Sequence, residues 1–261
     1  MQTIKAAMCR MLIVLGLLLS PLVLASDDPL KSPMWDYLRN VFLGDTPYQF
    51  DDRVVVSVPP FAEDPTQVPV TVDTTALSEK IEKIVVWADL NPIQHIYTYY
   101  PLKQVAPNIS LRIKVQQATP IRAAVLTQQG EWLVGGSYLD AAGGGCTTPS
   151  VANASPYWES HLGEISAKKV LREGLGRYKV KVIHPMDTGL VDAIPEFYLQ
   201  QLELRDDTGQ ALLRMELSQP VSENPVFSFD LASDLTSDPA SAELYHLWLR
   251  DNNGNEFEKA L

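Results

Sequence analysis

The chain has 261 residues, 46% of them hydrophobic and 20% charged, with a net charge of −11 and two cysteines. So acidic a chain lacks the basic surface that displaces counterions from nucleic acid or an anionic membrane, so neither is expected as a partner. Its length allows one large or two small domains.

Residues 1–25 read as a secretory signal. Lys5 and Arg10 form a basic start, MLIVLGLLLSPLVLA is the apolar stretch, and its end at Ala25 suits cleavage before Ser26. The apolar run contains Pro21 and is shorter than the roughly 20 residues that span a bilayer. Cys9 precedes that run and no cysteine follows it at a lipid-attachment position, so a soluble exported product is expected. Cleavage removes Lys5 and Arg10 and takes the net charge from −11 to −13. It also removes Cys9, leaving Cys146 without an intrachain partner in a compartment where cysteines normally pair.

Next, SPMWDYLRNVFLGD carries Trp35, Leu38, Phe42 and Leu43 at helical spacing, with Ser32 as cap and Pro33 in the first turn, which predicts one short helix. From Arg53 the pattern changes to strands: RVVVSVP, VPVTVD, IEKIVVWAD, SLRIKVQ, IRAAVLTQ and EWLVGGSYLD are short, β-branched and separated by turn formers. Between Ala141 and Gly163 the strand signal gives way to Gly, Ser, Ala, Asn and Pro, a linker composition. A second series follows: RYKVKVIHP, FYLQQLELRDDTG, ALLRMELS, VFSFDL, AELYHLWLRDNNG and NEFEKAL. Phe227, Phe229 and Leu231 alternate with Ser228 and Asp230, the signature of a sheet with one buried face. DDTG and DNNG read as hairpin tips. The expectation is an all-β chain of two sandwiches in tandem.

Motifs for autonomous chemistry are absent. His95, His161, His184 and His246 are scattered without zinc spacing, and no nucleophile elbow, phosphate loop, dinucleotide fingerprint or C-x-x-C occurs. DNNGNE has its glycine at the fourth position rather than the sixth of a calcium loop. NIS at Asn108 matches a glycosylation pattern but reads equally as a turn before a strand.

Cys146 remains. A free cysteine is usually a buried small hydrophobe. Here Gly143, Gly144 and Gly145 precede it and Thr147, Thr148 and Pro149 follow, a string with nothing to pack a core. Glycine's backbone entropy makes such a segment costly to hold, so an exposed, flexible arm is expected. No Lys, Arg or His lies in the ten residues before it, so a thiol of ordinary pKa near 8.5 is expected.

Two stretches carry a family resemblance. From Pro69 through SLRIKVQQATPIRAAVLTQQGEWLVGGSYLDAAGGGC the chain resembles the Y subunit of the sulfur-oxidation (Sox) carrier, which ends in a glycine-flanked cysteine. From Lys179 onward, HPMDTG, the Ile194–Pro195 pair, ENP and DNNG occur in the order found in the Z subunit. A single chain of both kinds is similar to the SoxYZ-like carriers associated with quinoprotein dehydrogenases. The resemblance implies two immunoglobulin-like β-sandwiches after a short N-terminal helix, a periplasmic location and no catalytic residue of its own. Cys146 is implied as the covalent sulfur attachment point, Gly143, Gly144 and Gly145 as its flexible arm, and HPMDTG as part of the fold and of the contact between halves.

The implied organisation is signal peptide 1–25, SoxY-like domain 26–145, Cys-bearing arm and linker 146–167, and SoxZ-like domain 168–261, with the two domains packed together. Periplasmic redox or sulfur-metabolising enzymes are the implied partners, a quinoprotein dehydrogenase or cytochrome among them, and no tightly bound cofactor or metal is expected. The alternative is a non-catalytic accessory module for a dehydrogenase that depends on pyrroloquinoline quinone; a disulfide-linked dimer through Cys146 is a third reading. One departure stands out: the Sox arm is a free C-terminus, whereas Cys146 is followed by more than a hundred residues.

Overall fold

A computed structural model describes residues 27–103, 105–151, 157–172, 175–232 and 245–261; the expected signal segment, with Cys9, lies outside them. The chain is mostly β, as expected, with one short helix ahead of the strands. The first half holds α1 (Trp35–Leu43), β1 (Tyr48–Phe50), β2 (Val55–Ser57), β3 (Phe61–Ala62), β4 (Val68–Asp73), β5 (Ile81–Ala88), β6 (His95–Pro101), β7 (Val105–Ile113), β8 (Thr119–Thr127) and β9 (Trp132–Ala141). The second holds α2 (Tyr157–His161), β10 (Ile165–Arg172), β11 (Leu175–Val182), β12 (Leu199–Arg205), β13 (Ala211–Leu217), β14 (Val226–Ala232), β15 (His246–Asp251) and β16 (Glu256–Ala260).

Helix α1 begins three residues after Ser32, whose Oγ accepts the Met34 N–H at 3.2 Å, and stops at Gly44 with φ 65°. Trp35, Leu38 and Leu43 pack on Val85, Trp87, Ala124, Trp132 and Val134. β5 and β8 are therefore covered on both faces and read as continuous apolar runs instead of alternating ones. Beside the helix, buried Arg122 pairs with Asp89 at 3.0 Å and Asp28 at 2.6 Å and lies 4.5 Å from the Trp35 ring centroid, which ties the segment before α1 to the sheet.

The two halves form one double-layered body. One sheet runs β1-β9-β8-β5-β6-β13-β12-β15-β16, with β3 also on β9; the other runs β10-β11-β14-β7-β4-β2. Each sheet crosses from the first half to the second by an antiparallel pairing. β6 meets β13 with Tyr99 opposite Met215, and β7 meets β14 with Ile109 opposite Phe229 and Ser110 opposite Ser228. His95 Nδ1 bonds Ser218 Oγ across the same seam. One large apolar core spans the seam, joining Ile84, Tyr99 and Ile109 to Tyr178, Phe229 and Leu247, beside the smaller cluster under α1.

A shared core predicts that the halves unfold together. Denaturant transitions followed by tryptophan fluorescence and by far-ultraviolet circular dichroism should coincide, and two separate transitions would contradict it. At the seam, Tyr99 is fully buried and its hydroxyl has no hydrogen-bond partner among the described residues. Tyr99→Phe is therefore expected to raise stability by about 1 kcal/mol, and Tyr99→Ala to lower it by about 3–5 kcal/mol.

Candidate functional site

Beyond β9 the backbone turns sharply. Gly143 and Gly144 have φ of 98° and 88°, and the chain passes back under residues 115–117. Gly144 N–H donates to Gln116 O at 3.0 Å and Gly145 N–H to Val115 O at 2.9 Å. A Cβ on Gly145 would stand 2.0 Å from Pro65 O, and one on Gly143 would stand 2.5 Å from Gln116 O. These glycines permit a close backbone approach as well as a turn. Residues Gly145–Thr147 then form one 3-10 turn, closed by Thr148 Oγ1 donating to Gly144 O at 2.8 Å.

This overturns the expectation of an exposed arm. Cys146 is 1% exposed and its Sγ faces Lys114 O at 3.7 Å. The glycines that composition marks as a flexible neck are docked, because their missing side chains let three backbone segments meet. The turn is covered from the other half by His184–Gly189, the HPMDTG stretch. Thr188 Oγ1 donates to Cys146 O at 2.7 Å, and the Lys114 ammonium donates to Met186 O. Met186 is fully buried with φ 52°, a region costly for a side chain with a Cβ, and its sulfur accepts Leu199 N–H at 3.3 Å. The contact role expected for HPMDTG thus acquires an atomic content: its loop closes over the thiol turn.

The electrostatics follow from burial. Desolvation pushes the Cys146 thiol up to about 11, against the weaker pull of the Lys114 charge. Burial lowers Lys114, with Asp187, Cys146 and Glu223 opposing. His184 is held below its ordinary value by burial, against the attraction of Asp251, whose Oδ2 lies 3.7 Å from Nε2. Its Nδ1 accepts the Met186 N–H at 3.1 Å, so a neutral ring carries its proton on Nε2, toward Asp251. At pH 7 the docked thiol is ionised in only about one molecule in ten thousand, so it is no nucleophile in this state.

The histidines stay apart: His95 at the seam, His161 stacked on Tyr157, His184 behind the thiol turn, and His246 near Glu258. Among the described residues no group of three or more His, Cys, Asp or Glu side chains converges as a metal site. DNNG is a hairpin tip, with Asp251 Oδ1 accepting the N–H of Asn253 and of Asn255, each at 2.9 Å. Asn108 lies within β7, and its side chain donates to Asp73 Oδ2 at 3.1 Å.

Lys114, Asn91 and Thr188 escape a linear reading. Asn91 donates to Lys114 O and accepts from Gln116 N–H, each at 2.9 Å, which fixes the backbone ledge under the thiol. Lys114 sits between the inward Ile113 and Val115 in SLRIKVQ, where alternation points it to solvent; the second half's loop buries it.

Residues 38–146 match the family model "Sulfur oxidation protein SoxY", and residues 165–261 match "Sulphur oxidation protein SoxZ". The first match ends on Cys146, and the second begins where β10 begins. Among solved structures, the sulfur carrier protein SoxY from Chlorobium limicola f thiosulfatophilum is similar at 20% identity over 42% of this chain and 96% of that one, with a TM-score of 0.37. No curated protein matches.

Three measurements test the docked thiol. The unfolded thiol ionises near 9.0 and the folded one near 11, so the native state should lose stability as pH rises between those values. The loss from the thiol is on the order of 2 kcal/mol, and Cys146→Ala should make the pH slope shallower by that amount, leaving the part due to buried Tyr97 and Tyr99, which burial also raises. Thiol labelling of the native protein should be slow. Thr188→Val removes one buried hydrogen bond and should speed it about five- to tenfold, and Gly145→Ala should speed it further. Labelling as fast as a free thiol in the unaltered protein would exclude docking.

Proposed function

We propose that this chain, whose two halves belong to the SoxY and SoxZ families in tandem, is a non-enzymatic sulfur carrier of the periplasm. Cys146 holds a sulfur intermediate covalently and presents it to partner enzymes. The observation that carries this reading is the position of Cys146: the one cysteine of residues 26–261, on a glycine turn at the last residue of the SoxY-type match, gripped by the SoxZ-type half.

The docked thiol is protected. Loading requires release of the turn, with loss of the Thr188–Cys146, Gly145–Val115 and Gly144–Gln116 hydrogen bonds, after which the thiol regains an ordinary pKa. Because the segment is tethered at both ends, the turn presents itself as a loop. Forming an S-thiosulfonate-like adduct from the thiol makes an S–S bond and releases one proton and two electrons. A periplasmic redox enzyme such as a cytochrome accepts the electrons, and the carrier supplies only the sulfur atom and its position. Removal of the outer sulfonate by a partner hydrolase leaves a persulfide on Cys146. No tightly bound cofactor takes part.

One observation favours a second reading. The burial of Cys146 suits a chain that uses the SoxYZ scaffold without the thiol, as a docking module for a periplasmic quinoprotein dehydrogenase system.

Intact mass of the protein isolated from its native periplasm under sulfur supply should show Cys146 adducts that differ by sulfur or sulfite and disappear on reduction. Cys146→Ser should abolish adducts and sulfur-dependent function. A thiol that stays unmodified, together with full function of Cys146→Ser and unchanged binding to the dehydrogenase, would transfer the assignment to the docking module.

A further inference from the structure

On the outward face of the six-stranded sheet lies a groove of about 690 Å³ whose lining includes Val151, five residues after Cys146. Arg112 from β7, Lys168 from β10, and Lys179 and Lys181 from β11 line it. All four are exposed. Lys168 stands directly opposite Lys179 in the β10–β11 ladder, and Lys181 follows on the same face. Like charges in direct cross-strand register destabilise a sheet unless something neutralises them. Further along that face Arg177 is neutralised by Asp230 through two contacts of 2.6 Å. The four groove cations have no ion pair among the described residues, in a chain whose net charge is −11. Glu223, the acid in the groove, is already engaged: its carboxylate accepts the Val151 N–H at 2.7 Å and the Asn224 side-chain amide at 3.3 Å. Val151 is 74% exposed and lies at the groove on the strand of chain that leaves Cys146.

We infer that this groove docks a short, extended, acidic segment of a partner protein and so seats that partner on the chain that leaves Cys146. Lys179 and Lys181 are two residues apart on one strand, a spacing of about 6.6 Å, which is also the repeat of alternate side chains in an extended peptide. Carboxylates on alternate positions of such a segment meet successive lysines. A single small oxyanion covers one or two of these heads and leaves the rest unpaired, and among the described lining residues no buried polar side chain is present to fix it. A long polyanion such as DNA extends beyond the patch, where the acidic remainder of the chain repels it over a screening length of about 8 Å. The groove selects for short acidic segments, and its binding is independent of the carrier reading because it needs no thiol chemistry.

The test uses residues 26–261 and a fluorescein-labelled peptide of alternating Glu and Thr, read by fluorescence anisotropy. Saturable binding that weakens steeply with salt is expected. Lys179→Glu with Lys181→Glu should weaken it at least about tenfold. Lys80→Glu with Lys259→Glu changes the net charge equally at exposed sites outside the groove and should leave the affinity within about twofold of the unaltered protein. Absence of saturable binding, an equal loss in both double variants, or competition by millimolar sulfate as strong as by unlabelled peptide overturns the inference. Cys146→Ser should bind the peptide as the unaltered protein does, so failure here and failure of the carrier reading remain distinct.

Discussion

The pairing of β6 with β13 and of β7 with β14 is the constraint on which the rest of the molecule depends. Two sandwiches on a flexible tether would each need their own closed core and would leave four long edges open. Edge-to-edge joining removes those edges and merges the cores. It also fixes where loops from the second half fall. His184–Gly189 follows β11 directly, and β11 pairs with β14, which pairs with β7. The register of the seam therefore delivers Met186 and Thr188 onto Lys114 and Cys146, residues far away in the chain.

That delivery changes the chemistry of the thiol. On a free arm it would be an ordinary, solvated sulfur. Under the second half's loop it is desolvated, its pKa is raised, and its turn is held by backbone hydrogen bonds that only glycine permits at this distance. The strained backbone of Met186 and the buried Lys114 ammonium sit at this contact and are individually unfavourable. Hydrogen bonds between the halves accompany them: the Lys114 ammonium donates to Met186 O, and Thr188 Oγ1 donates to Cys146 O.

Charge is distributed with the same logic of halves. An acidic exterior surrounds a local cationic groove built where β10, β11 and β7 of different halves align in one sheet. Neither half alone contains it, because Arg112 comes from the first and the three lysines from the second.

Most strands were legible from alternation and turn chemistry: β4, β7, β12 to β16 and the hairpin tips lie where Val, Ile, Leu and Phe alternate with polar residues between Gly, Asn and Asp. The short β1 and β3, and the longer β6 and β10, were not. HIYTYYP is buried along most of its length by neighbours on both faces, so it lacks alternation, and ISAKKVLR is an exposed edge strand that begins inside the expected linker 146–167 and has no alternating burial. The omitted β6 is half of the seam. By itself the sequence determined the all-β class, the two strand series, the isolation of Cys146 among glycines and the stretch HPMDTG. Only the tertiary structure decided that the glycines dock, that Lys114 faces inward and that the thiol is covered. Local composition sets backbone entropy and propensity, whereas burial depends on which distant surface a register brings overhead, and that surface belongs to the other half of the chain.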